Sequence, residues 1–138
     1  MAIDVYINFN GNCRDAVEFY SKVFGTEEPK IMFYGDMPPN QEFPIPEEAK
    51  NLVMHTQINI DESNIMLSDI LPGMPFVAGN NITLVIRRTN MDEVKALFNK
   101  LKEGGTVEMD IQETFWSKCY GLVKDKFGIG WQLSHYEE

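Results

Sequence analysis

The sequence predicts an α+β fold made of two copies of one unit, in which a strand and a helix are followed by three further strands. Three observations support this interpretation: two helices with the same apolar pattern, a strand-like segment before each, and three strand-like segments after each. In both helices the apolar residues recur at positions i, i+3, i+4 and i+7, which places them on one buried stripe. These positions hold Ala16, Phe19, Tyr20 and Val23 in the first helix and Val94, Leu97, Phe98 and Leu101 in the second. The two sets lie 78 residues apart, which indicates an internal duplication.

The ends of the two helices also match. Asn12 and Asn90 each stand three residues before an acidic side chain. We predict both as N-caps, whose side-chain oxygen accepts a backbone N–H of the first helical turn. Gly25 follows the first helix and Gly104 follows the second, as the left-handed conformation at a helix end favours.

Strand-like segments accompany the helices in the same order in both copies. They alternate apolar and polar residues or are rich in β-branched residues, and turn-prone residues separate them. They cover residues 3–9, 31–34, 52–60 and 65–68 in the first copy and 82–86, 106–109, 119–123 and 130–135 in the second. The order βαβββ therefore occurs twice.

Length and proline content predict the domain organisation. The 138 residues suit a single domain, with module 1 at about 1–70, a linker rich in proline and glycine at about 71–81, and module 2 at about 82–138. A second irregular stretch, residues 37–48, holds four of the seven prolines. Long irregular segments act as lids, as partner contacts or as disordered chain, and all three interpretations remain open for this stretch.

Composition limits the classes of partner. With 21 acidic and 12 basic side chains the net charge is −9, which repels nucleic acid and anionic lipid. The apolar runs are too short to span a membrane. The chain opens without a basic and apolar leader pattern, so we expect a cytoplasmic protein in which Cys13 and Cys119 stay reduced.

Four short motifs carry a family resemblance. They are Gly11-Asn12 leading into Ala16-x-x-Phe19-Tyr20-x-x-Val23-Phe24-Gly25, then Met66-Leu67-Ser68-Asp69, then Leu101-x-x-Gly104-Gly105-x-Val107, and finally Thr114-Phe115-Trp116 followed by Asp125-x-Phe127-Gly128-x-x-Trp131. On these residues the chain resembles the vicinal oxygen chelate superfamily of glyoxalase I, bleomycin-resistance proteins and extradiol dioxygenases, and within it the PhnB-like branch. The resemblance implies two βαβββ modules whose curled sheets enclose a cleft, and a homodimer.

The resemblance also implies where metal ligands would stand. Metal-using members of the superfamily carry His or Gln on the first strand and Glu on the last strand of each module, and the divalent ion holds two neighbouring substrate oxygens. The corresponding positions in this chain hold Val5 or Tyr6, Leu67 or Ser68, a residue within Asn81 to Thr83, and Gln132. A complete set of the standard ligands is therefore absent.

One strand offers replacement polar side chains. His55, Gln57 and Asn59 alternate, so they share one face of that strand. His55 is the one candidate base or nitrogen ligand on this face, and a structural, a ligand-binding and a catalytic or metal-binding role are all open for it. The other histidine, His135, is expected at the surface or in an interface. The weak metal candidates are His55, Gln57 and Gln132.

Aromatic residues suggest a ligand pocket. Tyr6, Phe115, Trp116, Tyr120 and Trp131 would give a cleft apolar walls with a few polar edges, although such residues also fill cores. Asp69 could cap or turn the chain or bind the ligand, and the turn role is favoured. The ligand-binding candidates are Tyr6, His55, Gln57, Ser68, Phe115, Trp116, Tyr120 and Gln132.

Three functions compete on this pattern. The first is a homodimeric protein that binds a small organic ligand in an aromatic-lined cleft. The second is a lyase, isomerase or dioxygenase that uses a divalent metal, and the third is a dimeric scaffold without a ligand. The branch also carries the label 3-demethylubiquinone-9 3-methyltransferase, but no Gly-x-Gly turn of the kind that cradles a nucleoside cofactor follows a strand. No catalytic residue or cofactor is assigned from the sequence.

Overall fold

The computed structural model of the protein describes residues 3–39 and 42–138. Within them the elements follow the predicted order twice. They are β1 (Val5–Phe9), α1 (Cys13–Phe24), β2 (Met32–Phe33), β3 (Val53–Ile60), β4 (Ser63–Asp69), β5 (Thr83–Arg88), α2 (Met91–Leu101), β6 (Thr106–Gln112), β7 (Tyr120–Lys124) and β8 (Gly130–His135). The chain divides into two compact units, one ending at Phe76 and the other beginning at Val77, inside the predicted linker. No helix in the described ranges is both long and apolar enough to cross a membrane.

The two sheets have the same topology. The strands lie in the order β1-β4-β3-β2 in the first unit and β5-β8-β7-β6 in the second. The first strand of each unit pairs in parallel with the last, and the other pairs are antiparallel. This arrangement confirms the predicted α+β fold of two βαβββ modules.

Each helix covers one face of its own sheet. Tyr20 of α1 and Leu67 of β4 are fully buried, as are Leu101 of α2 and Leu133 of β8. In the second module, a Cβ at Gly121 would lie 2.9 Å from the ring of Phe98, so only glycine lets α2 pack this closely. We call the opposite sheet surface, which the helix does not cover, the open face of each module.

Strand register shows that the turn between the first strand and the helix is one residue longer in the first copy. Phe9 pairs with Asp69 and Arg88 pairs with His135, so equivalent residues of β1 and β5 lie 79 apart, while the helices begin 78 apart. The extra residue lies in the turn before α1, which contains Gly11 at φ 93°, a conformation that favours glycine.

This extra residue changes which positions correspond. The residue of β4 that matches Gln132 is Met66, because Met66 pairs with Tyr6 of β1 as Gln132 pairs with Val85 of β5. The sequence-based assignment of Leu67 or Ser68 to this position was wrong. Leu67 is one residue from Met66 and lies on the other face of the strand, whereas Ser68 is two residues away and lies on the same face, one pair further along.

One of the two predicted N-caps is confirmed and the other is wrong. The side chain of Asn90 accepts the N–H of Glu93 at 3.1 Å, which confirms the prediction for α2. Asn12 precedes α1 but its side chain makes no capping hydrogen bond. Instead, Oδ1 of Asp69 accepts the N–H groups of Gly11 at 2.9 Å and Cys13 at 3.0 Å.

His135 is buried at the position of β8 that is equivalent to Asp69 of β4. The sequence predicted it at the surface or in an interface. Only 8% of the residue is exposed, and its Nε2 lies 3.0 Å from the carbonyl oxygen of Thr89. The surface prediction for His135 was wrong, because the side chain sits on the helix-covered face at the end of β8.

Asp69→Asn should destabilise the first module. The carboxylate also accepts the N–H of Val53 at 3.0 Å, so replacing one oxygen with an NH₂ group leaves a buried N–H facing another donor. We expect the free energy of unfolding in urea to fall by about 1–3 kcal/mol. Asp4→Asn, at an exposed position, is the matched control and should change stability by less than about 0.5 kcal/mol. Equal stabilities of the two variants would contradict this role of Asp69.

Cys13 should make stability fall at high pH. Burial, and then the nearby Asp69 carboxylate, raise the pKa of Cys13 from 9.0 to about 12. Between these values the unfolded chain releases a thiol proton that the folded chain keeps, so the free energy of unfolding should decrease by about 1.4 kcal/mol per pH unit. Urea unfolding from about one unit below to about 1.5 units above the unfolded pKa should show a weaker dependence of the free energy of unfolding on pH for Cys13→Ala than for the parent. The same dependence of the free energy of unfolding on pH in the variant and the parent would argue against a raised pKa of Cys13 in the folded protein.

Candidate functional site

A chain of hydrogen bonds crosses the open face of the second module. The hydroxyl of Tyr120 donates to Oε1 of Gln132 at 2.7 Å, and Nε2 of Gln132 donates to Oγ1 of Thr83 at 2.9 Å. These three side chains belong to β7, β8 and β5, which are adjacent in the sheet. Both heteroatoms of the Gln132 amide are therefore engaged within the protein.

A tight turn holds two exposed rings beside this chain. The N–H of Thr114 donates to the carbonyl of Ser117 at 2.8 Å, and the N–H of Ser117 donates back to the Thr114 hydroxyl at 3.1 Å. Phe115 and Trp116 form the tip of the turn and are 98% and 54% exposed. The ring of Trp116 lies 4.7 Å from that of Phe115 and 5.2 Å from that of Tyr120, both edge to face. We call Phe115, Trp116, Tyr120, Gln132 and Thr83 the aromatic–amide cluster.

Trp131 does not belong to this cluster. It is 1% exposed, and its Nε1 donates to Oδ2 of Asp125 at 2.8 Å. Oδ1 of Asp125 also accepts the N–H groups of Phe127 at 2.8 Å and Ile129 at 3.1 Å, which fixes the turn before β8. Trp131 is thus a core residue, and the turn that it anchors sets the register that places Gln132 on the open face.

The open face of the first module holds the other four predicted candidates. The rings of Tyr6 and His55 lie 5.9 Å apart, and Tyr6 is 46% exposed. Gln57 is exposed, whereas Ser68 is buried and its hydroxyl lies 3.5 Å from Oδ1 of Asn8. The eight candidates therefore form two groups of four, one on the open face of each module.

Sheet register relates the two groups. His55 precedes Thr56, which pairs with Leu67, and Tyr120 precedes Gly121, which pairs with Leu133. His55 and Tyr120 therefore occupy equivalent positions. In each module this position carries a ring that contacts a second ring, namely Tyr6 or Trp116.

The donor set does not fit a divalent metal ion. No three His, Cys, Asp or Glu side chains among residues 3–39 and 42–138 are placed where they could share a metal. Gln132 uses both amide heteroatoms within the sheet, and its counterpart Met66 offers a thioether, which suits soft ions such as Cu(I) rather than the divalent ions that imidazole and carboxylate ligands hold.

The turns before the helices do not fit a nucleoside-bearing methyl donor either. Free backbone N–H groups at a helix N-terminus are a common binding site for the anionic groups of nucleotide cofactors. The N–H groups of Gly11 and Cys13 are taken by Asp69, and that of Glu93 is taken by Asn90. Neither turn presents these groups to a ligand.

The proline-rich stretch at residues 37–48 borders a groove of about 410 Å³. Its lining is mostly apolar and comprises Tyr34, Gly35, Met37, Pro38, Pro39, Pro44, Ile45 and Lys50. Asn40 and Gln41 lie outside the described residues. The roles of lid, dimer arm and disordered segment stay predictions.

Thr83 is the site residue whose role the sequence did not indicate. The sequence places Thr83 only in the range that corresponds to a metal-ligand position, yet its hydroxyl accepts a hydrogen bond from Gln132, 49 positions away. The one available signal is the sequence of the β5 region, where Thr83 interrupts an apolar run with a hydroxyl.

Comparisons with known proteins agree with this fold. The chain matches the protein family described as 3-demethylubiquinone-9 3-methyltransferase over residues 2–134. Protein YjdN of Escherichia coli strain K12 is 33% identical over 145 aligned residues, which cover 97% of this chain and 95% of YjdN. Protein PA1353 from Pseudomonas aeruginosa has a TM-score of 0.87 at 29% identity, covering 100% of this chain and 99% of that one. The PhnB protein from Bacillus cereus has a TM-score of 0.74 at 22% identity, covering 99% and 100%.

Metal analysis should separate the metal-dependent hypothesis from the others. Because the described donors do not converge, protein purified without chelator should contain well below one equivalent of zinc, nickel, manganese or iron per chain by plasma mass spectrometry. His55→Ala should leave this content unchanged, and Gln57→Ala serves as its control on the same strand. Near-stoichiometric metal that disappears in His55→Ala would establish the metal site and refute our interpretation of the donor set.

Proposed function

Because the chain belongs to the 3-demethylubiquinone-9 3-methyltransferase family, the PhnB-like branch of the vicinal oxygen chelate superfamily, we propose that it binds a small organic ligand on the open face of its second module. The proposed binding site is the aromatic–amide cluster. The protein acts as a binding protein, and the methyltransferase in the family description is not assigned to it.

The observation that carries this proposal is the exposure of two contacting aromatic rings next to a hydrogen-bonded amide. Single exposed apolar side chains are ordinary, whereas contiguous exposed apolar surface bordered by polar groups is typical of binding sites. Covering the exposed part of Trp116 with an apolar ring removes that surface from water, which stabilises a complex by roughly 25 cal/mol per Å². The edge-to-face contacts with Phe115 and Tyr120 hold the ring in place, so little entropy is lost on binding.

The hydrogen-bonded side chains of Tyr120, Gln132 and Thr83 add polar groups to this apolar surface. Ligand sites combine apolar walls with a few polar groups that fix the ligand's orientation. Here the walls are Trp116 and Tyr120, and the polar groups are Gln132 and Thr83. This composition favours a planar, mostly apolar molecule with a polar edge.

We extend the proposal to a homodimer in the cytoplasm. The PhnB-like resemblance supports the dimer, and two buried free thiols, Cys13 and Cys119, suit a reducing compartment. A dimeric scaffold without a ligand would have the same molar mass in light scattering as a ligand-binding homodimer. It would show no saturable binding at the aromatic–amide cluster.

Trp116→Ala should weaken ligand binding. With the uncharged bicyclic compounds tetralin and 1-tetralone as probes, we expect saturable binding to the parent protein by calorimetry. Loss of the ring contact should lower the affinity for both probes by about tenfold. Phe76→Ala, at another partly exposed aromatic residue, is the matched control and should bind both probes like the parent. Absence of saturable binding to the parent, or equal affinities for all three proteins, would exclude the cluster as the site.

A further inference from the structure

The hydrogen bonds of the aromatic–amide cluster run in one direction and leave two donors at its end. Oε1 of Gln132 accepts from Tyr120, and Oγ1 of Thr83 accepts from Gln132. The O–H of Thr83 and the second N–H of Gln132 are therefore still available to donate. Among the residues that the structure describes, neither group has a protein acceptor.

Packing against a glycine restricts the rotation of Thr83. Thr83 pairs with Gly130 of β8, and a Cβ at Gly130 would lie 3.0 Å from Cγ2 of Thr83. Glycine at position 130 thus makes room for the methyl group. Since a β-branched side chain has few χ1 choices, seating the methyl group over Gly130 keeps the hydroxyl beside Gln132.

The chain of hydrogen bonds also strengthens the terminal donors. Each hydrogen bond polarises the next one in such a chain. Tyr120, which begins the chain, is 9% exposed, and its bond to Gln132 is partly buried. Tyr120 and Gln132 act on Thr83 as positioning residues.

The chemistry of these donors selects the class of acceptor. All three groups in the chain are uncharged, and the protein carries a net charge of −9, which repels anions. Lys124 lies in the same row of the sheet but two strands from Thr83, about 10 Å at the usual strand spacing. A neutral carbonyl oxygen matches this pair of donors better than a carboxylate or phosphate does.

From this geometry we propose that Thr83 is a ligand-binding residue whose hydroxyl, together with the free N–H of Gln132, donates to a carbonyl oxygen of the ligand. The site accordingly takes an uncharged planar compound that carries a ring carbonyl. This inference rests on the proposed function, because the ring of the ligand would contact Trp116 and Tyr120.

The experiment compares two probes that share one skeleton. 1-Tetralone carries a ring carbonyl and tetralin lacks it, so the ratio of their dissociation constants isolates the carbonyl. We expect the parent to bind 1-tetralone about fivefold to tenfold more tightly than tetralin, as two hydrogen bonds from uncharged donors provide. Thr83→Val keeps the side-chain shape and removes one of the two donors, so it should lower this ratio by about twofold to threefold. Thr83→Ser keeps the hydroxyl and should retain most of the preference.

A second variant tests the chain itself. Tyr120→Phe removes the hydroxyl that donates to Gln132. It should partly reduce the preference for 1-tetralone over tetralin and should change the affinity for tetralin little. Far-UV circular dichroism and urea unfolding report whether each variant is folded.

The outcomes separate this inference from the proposed function. If Trp116→Ala weakens both probes but Thr83→Val leaves the ratio unchanged, the cluster binds ligands and the role of Thr83 is refuted. If neither probe binds the parent, both proposals fail. A lower ratio in Thr83→Val together with a retained ratio in Thr83→Ser supports the inference.

Discussion

The buried carboxylate of Asp69 is the interaction on which the first module depends. Its two oxygens accept three backbone N–H groups, from Gly11, Cys13 and Val53, at 2.9–3.0 Å. Removing a carboxylate from water is costly unless its oxygens are hydrogen-bonded. Here the bonds join the turn before α1, the start of β3 and the end of β4, so one side chain fixes three segments. The same residue's carbonyl accepts the hydroxyl of Tyr34 at 2.9 Å.

In the second module, different residues hold the end of the last strand and cap the helix. His135 stands where Asp69 does, and α2 is capped by its own Asn90. The end of β8 is joined instead to the segment before β7, because the Ser117 hydroxyl lies 2.8 Å from the carbonyl oxygen of His135 and 2.9 Å from that of Cys119. This change has a consequence for the site. Ser117 also closes the turn that carries Trp116, so the residue that secures the strand end also holds the exposed ring.

Local patterns were enough to predict the fold, but a single residue limited the prediction of the site. Apolar periodicity and glycine positions located both helices, and alternation located the strands. Gly11 is one residue more than the second module has in the equivalent turn, and neither pattern records it. Carried to the paired first strands, the helix spacing of 78 residues matches Gln132 with Leu67, whereas the strand spacing of 79 matches it with Met66, which lies on the other face of the strand. The bond between Gln132 and Thr83 joins residues 49 apart, and the hydroxyl at position 83 does not by itself indicate this partner.

The chemistry of position 132 follows from the difference between an amide and a carboxylate. An ionised carboxylate accepts hydrogen bonds only, whereas an amide accepts with its oxygen and donates with its nitrogen. A glutamate at this position would accept from both Tyr120 and Thr83, so the Thr83 proton would be directed into the protein. Gln132 instead accepts from Tyr120 and donates to Thr83, which leaves the Thr83 proton available outside the chain. A carboxylate that binds a metal and a hydroxyl that donates to a ligand are therefore exclusive uses of this position, and the amide at 132 favours the second.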